Sequence, residues 1–113
     1  MNSLAGLLGL GFRSGRLVVG VDRVRLGLQA NEIHCVIIAA DARGRVQDKV
    51  VRLARGRGVP VVVGPDAPRL GAAVGKSPVM VVGVRERSLA DGIVGRARRF
   101  GSMGGMSGKD ENS

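Results

Sequence analysis

The sequence predicts an α/β protein, a three-layer α/β/α sandwich around a mixed four-stranded sheet. Two observations predict it. The stretch Ile33–Asp41 reads IHCVIIAAD, and from Val36 to Ala40 it is apolar without a break. It is too short for a helix that needs a polar side and is rich in β-branched residues. It therefore reads as a strand buried on both faces, which requires helices on either side of the sheet. The second observation is alternation. Segments with helical spacing of apolar residues take turns with short β-branched runs, giving five helices and four strands in strict succession.

Taken in order, Ser3 is an N-cap for a first helix to Phe12, with Leu4, Leu7, Leu8 and Gly11 on one face. The turn Arg13-Ser14-Gly15-Arg16 ends it, and Leu17–Val19 is a short strand. Gly20 opens the second helix. Val21, Val24 and Leu28 face the core, and Asp22 in the first turn suits the helix dipole. After the central strand, the turn Asp41–Arg45 is polar and basic and sits past the strand's carboxyl end, a usual ligand position in open α/β sheets. A third helix spans about Arg45 to Arg57, with Val46, Val50, Leu53 and Ala54 buried and Asp48 four residues before Arg52. Val59–Val63 is a strand whose Pro60 fits an edge or an entry position. Asp66 caps a short helix carrying Leu70, Ala73 and Val74. The loop Gly75–Pro78 then leads into the strand Val79–Val84. Arg85–Ser88 starts the last helix, with Leu89, Ile93 and Val94 buried. Residues 98–113 read as a disordered Gly/Ser/Met-rich tail, and residues 1–97 as one domain.

Composition narrows the function. A length of 113 residues suits one core, and 44% hydrophobic content excludes wholesale disorder. Only Phe12 and Phe100 are aromatic, so aliphatic side chains must fill the interior. Several of the 19 glycines fall inside helices, where they point to close contacts. Net charge is +9, and residues 1–97 alone hold 15 Lys+Arg against 7 Asp+Glu. Such a surplus points to a polyanion partner. Only three of the 18 bases are Lys; the rest are Arg, which forks onto phosphate and stacks on bases. The bland alternative is compositional: Arg stands for Lys even at merely solvated positions.

Chemistry-bearing side chains are few. Cys35 is the one cysteine and His34 the one histidine. They are adjacent in a strand, so they point to opposite faces and cannot form a catalytic pair. No disulfide framework, metal cluster, nucleotide loop, signal peptide or transmembrane run is present in the sequence. The expectation is a cytoplasmic protein without cofactor, metal or membrane association.

Four stretches, in the right order, carry a resemblance. They are Leu7–Leu10 leading to Ser14–Gly20; Val36–Ala42; Val59–Val61; and Leu70–Lys76. Together they resemble the L7Ae/L30e ribosomal-protein family, whose archetypes bind RNA kink-turns, and most closely its bacterial YlxQ-like branch. The resemblance implies a small RNA-binding domain without enzymatic activity, and the expectation is a monomer that binds structured RNA and is ribosome- or translation-associated. It also implies that the glycine opening the second helix, here Gly20, lets backbone approach RNA, and that the polar first turns enter a widened groove. A second loop, here Gly75-Lys76-Ser77-Pro78, would pack on an extruded base.

Archetypes place Asn, Glu and Lys two, three and six residues after that glycine. This chain has Asp22, Arg23 and Leu26. The candidate RNA-binding set is Arg13, Arg16, Gly20, Val21, Asp22, Arg23, Arg25, Arg43, Arg45, Gly75, Lys76 and Ser77. Arg13, Arg16, Arg23, Arg25 and Arg43 are expected to flank one end of the sheet. The alternative reading is a protein–protein interaction module on the same fold with RNA recognition lost, which Leu26 favours. A small enzyme using Asp41, Asp48, His34 or Cys35 is the third.

Overall fold

A computed structural model describes residues 3–100. Its elements are α1 (Leu4–Arg13), β1 (Leu17–Val19), α2 (Val21–Gln29), β2 (Cys35–Ile38), α3 (residues 44–56), β3 (Val61–Val63), α4 (Ala67–Ala73), β4 (Val81–Val84) and α5 (Arg87–Phe100). The sheet order is β1-β4-β2-β3. β4 is antiparallel to both neighbours, and β2 is parallel to β3. The mixed four-stranded sheet is therefore as the sequence predicts.

Both central strands, β2 and β4, are buried at every residue. Side chains alternate between two cores. On one face Cys35, Ile37, Val82 and Val84 meet α1, α4 and α5 through Leu8, Leu70 and Ile93. On the other, Val36, Ile38 and Val81 meet α2 and α3 through Val24, Leu28, Val46 and Val50. Burying each such Val, Leu or Ile is worth roughly 1.5–3 kcal/mol relative to exposure.

Strand direction sets two ends. The carboxyl ends of β1, β2 and β3 and the amino end of β4 lie together; this is the Gly20 end. The Arg16 end, opposite, holds the turn before β1, the end of β4 and the start of β2. There the Arg85 N–H donates to the Arg16 carbonyl at 2.7 Å, and the His34 N–H to the Val84 carbonyl at 2.8 Å.

Several boundaries differ from expectation. The central strand is shorter than its apolar run, and Ala40 is exposed. β4 starts at Val81 rather than Val79, because Val79 instead donates to the Ala67 carbonyl at 3.0 Å. β3 is an edge strand, with Pro60 just before it. α3 is α-helical at Gly44–Val46 and Arg52–Gly56, with a π turn at Gln47–Val51 between them. The wide turn inserts one residue, so Val50 and Val51 are both buried while Leu53 is only half-buried. That shift was not visible in a simple helical repeat. α5 continues to Phe100, and the rest of the expected tail lies outside the described residues.

Caps follow the sequence. Ser3 accepts from the Gly6 N–H at 3.0 Å, and Asp66 from the Arg69 N–H at 3.0 Å. Glu86, unrecognised as a cap in sequence, accepts from the Ser88 and Leu89 N–H groups at 3.2 and 2.9 Å and from the Ser88 hydroxyl. Helices α1 to α4 all close with a left-handed residue: Gly15, Asn31, Gly58 and Gly75. In α4 the Lys76 N–H donates to the Gly71 carbonyl at 2.9 Å and the Gly75 N–H to the Ala72 carbonyl at 3.1 Å. Helical glycines do mark close contacts at some positions. A Cβ on Gly71 would lie 2.1 Å from the Ser77 carbonyl oxygen, and one on Gly27 2.8 Å from Ile33. At Gly44, Gly56, Gly92 and Gly95 it would meet nothing.

Two outcomes follow. Gly71→Ala drives α4 into the backbone of the loop before β4, so its unfolding midpoint in urea falls by an amount equivalent to about 2 kcal/mol or more. Glu86 is held below its ordinary 4.5, first by the Ser88 hydroxyl and next by the Leu89 N–H. A depressed folded pKa contributes stability above the unfolded value, and that contribution is lost as pH falls through the folded one. The melting-temperature gap between wild type and Glu86→Gln is therefore largest above the ordinary carboxylate range and closes as pH falls below it.

Candidate nucleic-acid interface

The Gly20 end gathers two helix starts. Gly20 caps α2 with φ 102° and ψ 155°, a conformation reserved for glycine, and supplies no side-chain acceptor. Its own N–H donates to the Val81 carbonyl at 3.0 Å. A Cβ there would face open space, so the backbone is accessible. α3 likewise starts at Arg43 without a side-chain cap. α1, α4 and α5, in contrast, are capped by Ser3, Asp66 and Glu86. Two neighbouring helices thus present N–H groups that no side chain caps, and positive dipole ends, at the same place.

Charged side chains surround them. Asp22 and Arg45 approach to 3.7 Å with both side chains mostly exposed, a pair worth about 0–1 kcal/mol. Arg23 and Lys76 line a cavity of 330 Å³ with Phe12, Leu17, Val18 and Val19. The Lys76 ammonium sits 5.2 Å from the centre of the Phe12 ring. Gly75, Lys76, Ser77 and Pro78 line an adjoining hollow of 520 Å³. Arg13 lines a third, of 330 Å³, with Gly9, Phe12 and Gly75. The three hollows share Phe12, Gly75 or Lys76 and so form one indented strip.

The structure brings most of the sequence-predicted set together, but not all. Gly20, Val21, Asp22, Arg43 and Arg45 share the Gly20 end. Arg13, Arg23, Gly75, Lys76 and Ser77 border the strip. Arg25 lies exposed one turn beyond Asp22. Arg16 is a correction: it precedes β1, which puts it at the opposite end, 4.0 Å from Glu86. Arg13 also precedes β1 and reaches the strip only along α1's flank. The expectation of five arginines at one end fails because the turn before a strand and the turn after it lie at opposite edges of a sheet.

Asp41 is likewise accounted for: its carboxylate accepts from the Ala67 N–H at 2.8 Å, joining the turn after β2 to α4. Phe12 was missed as a site residue. Its one signal is that it is an aromatic in a chain nearly without them. Among the described residues no group of three or more His, Cys, Asp or Glu side chains is placed to hold a metal ion. Burial, aided by the negative Asp91, pushes the Cys35 thiol up to about 12, and a neutral thiol is a poor nucleophile.

A family model described as "Ribosomal protein L7Ae/L30e/S12e/Gadd45 family" matches residues 3–92. No curated protein matches the chain. Among solved structures, a protein of unknown function from Bacillus halodurans superposes with a TM-score of 0.79 at 26% identity, covering 84% of this chain and 96% of that one. The 15.5 kD RNA-binding protein of Giardia lamblia superposes with a TM-score of 0.71 at 22% identity, covering 88% of this chain and 92% of that one. At that identity the second likeness establishes the fold alone.

Gly20→Ala forces a side chain onto a backbone reserved for glycine. Its expected loss of stability is about 1–3 kcal/mol in denaturant titration, although the site is sterically open.

Proposed function

Because the chain belongs to the ribosomal protein L7Ae/L30e/S12e/Gadd45 family, we propose that it is a non-enzymatic protein that binds structured RNA, kink-turn-like or ribosomal. The observation that carries this reading is the pair of helix starts without side-chain caps at Gly20 and Arg43, set beside the strip bordered by Arg23 and Lys76. Helix-start N–H groups and guanidinium groups donate to phosphate oxygens. The hollow beside Lys76 and Pro78 offers room for an unstacked base, the usual target of sequence-specific RNA recognition. Asp22 can accept from a base edge, and its weak pair with Arg45 yields readily to such a contact. The cellular setting that fits is the cytoplasm, in association with the ribosome or translation, as a monomer. Among the described residues no helix is long and apolar enough to cross a membrane.

One observation favours the protein–protein alternative. Leu26, where archetypal members carry Lys, is 65% exposed on α2. An exposed leucine offers nothing to a phosphate and something to an apolar partner surface.

A binding titration against a kink-turn RNA and a plain duplex of equal length, at about 50 and about 200 mM salt, decides between them. The RNA reading expects tighter binding to the kink-turn at the higher salt. It also expects Arg23→Ala or Lys76→Ala to lower the slope of log affinity against log salt by about 1. Equal, salt-sensitive binding to both RNAs would leave only a basic surface and favour the protein partner.

A further inference from the structure

The outer face of α3 carries charge well beyond Arg43 and Arg45, the two cations at the Gly20 end. From Arg43 to Arg57 the cations are Arg43, Arg45, Lys49, Arg52, Arg55 and Arg57, against the single acid Asp48. All six are exposed, while Val46, Val50, Val51 and Ala54 turn toward the sheet. An ordinary solvated helix face intersperses both signs, and this one does not. Two of the cations are in ion pairs, Arg45 with Asp22 and Arg52 with Asp48, each at 3.7 Å and each largely exposed. Such pairs are worth about 0–1 kcal/mol and give way to a phosphate.

The position of the helix gives the pattern a direction. α3 starts beside the amino end of α2, where Arg45 meets Asp22. It ends at the opposite edge of the sheet, about 18 Å away at 1.5 Å per residue. There the Arg57 guanidinium donates to the Asn31 side-chain oxygen at 2.8 Å. Arg57 stands at the mouth of a 390 Å³ cavity lined also by His34, Arg87 and Asp91. The helix closes at Arg57, and the cationic track of its outer face ends with it.

We infer that the backbone of an RNA arm leaving the Gly20 end runs along the outer face of α3, its phosphates contacted by Lys49, Arg52 and Arg55. The inference rests on the RNA-binding reading above and extends it to a second surface. Charge complementarity and continuity with the Gly20 end carry it. Phosphate contacts fix register and direction without reading sequence. This surface therefore sets the length and path of the bound arm, while selectivity stays at Gly20–Arg23 and the Lys76 loop.

The test compares wild type, the Lys49→Ala/Arg55→Ala double variant and Arg23→Ala. Each is titrated against one structured RNA with its helical arm either extended by a turn or cut back to the junction. Both residues of the double variant are exposed and outside the core, so an unchanged melting curve is expected to accompany it. On the extended RNA, the double variant lowers the slope of log affinity against log salt by about 1.5–2, as two lost phosphate contacts require. Between about 50 and about 200 mM salt, wild type then loses about tenfold more affinity than the variant. On the truncated RNA, wild type and double variant bind alike, while Arg23→Ala weakens binding to both RNAs. An unchanged slope and affinity for the double variant on the extended RNA overturns the α3 path and leaves the Gly20 interface standing. Failure of wild type to bind either RNA overturns both readings.

Discussion

The pairing of β4 between β1 and β2 is the constraint on which the rest depends. Because β4 enters antiparallel to both, its amino end lies beside the carboxyl ends of β1 and β2, with Val82 opposite Val19 and Val81 opposite Ile38. The Gly20 N–H then meets the Val81 carbonyl at 3.0 Å. The segment that feeds β4, Gly75 to Val79, is thereby delivered to the flank of α2, although the whole stretch from residue 30 to residue 74 separates the two in sequence. The pairing holds because β2 and β4 are buried on both sides. Separating them would expose two aliphatic cores at once, each contributing in proportion to apolar area.

With so few aromatics, packing relies on close approach rather than bulk. Gly27 lets Ile33 lie against α2, and Gly71 lets the loop before β4 lie against α4. Left-handed residues at the ends of α1 to α4 turn the chain back within a few residues while satisfying the last carbonyls. The glycine content that lowers helix propensity thus shortens loops and tightens layers. At Gly20 the same freedom leaves a helix start without a side-chain cap.

Electrostatically the molecule is asymmetric in how it satisfies its helix starts. The helices of one layer are capped by Ser3, Asp66 and Glu86, while α2 and α3 of the other layer are not capped by side chains. The uncapped layer is also the one with the arginine-rich outer face. Its exposed ion pairs are weak, so arginines engaged in the free protein remain available to a polyanion. An extended anionic chain would meet dipole ends, guanidinium groups and accessible backbone on one side of the protein.

The sequence by itself determined the fold class, the order of elements and the buried faces. Those depend on local periodicity and on short-range chemistry: the apolar run of β2, Ser3 and Asp66 as caps, Gly75 as a helix stop. It also pointed to Gly20 and the Lys76 loop as candidate contacts, through a resemblance carried by several short stretches. Only the tertiary structure decided which residues share an end. Arg16 and Arg43 both lie in basic turns and look alike in sequence, yet strand direction sends them to opposite edges of the sheet. The π turn in α3, the Asp41 carboxylate spent on Ala67, and Phe12 beneath Lys76 were hidden for the same reason. Each is set by contacts between elements distant along the chain, or by the packing those contacts impose, and neither local propensity nor spacing encodes that.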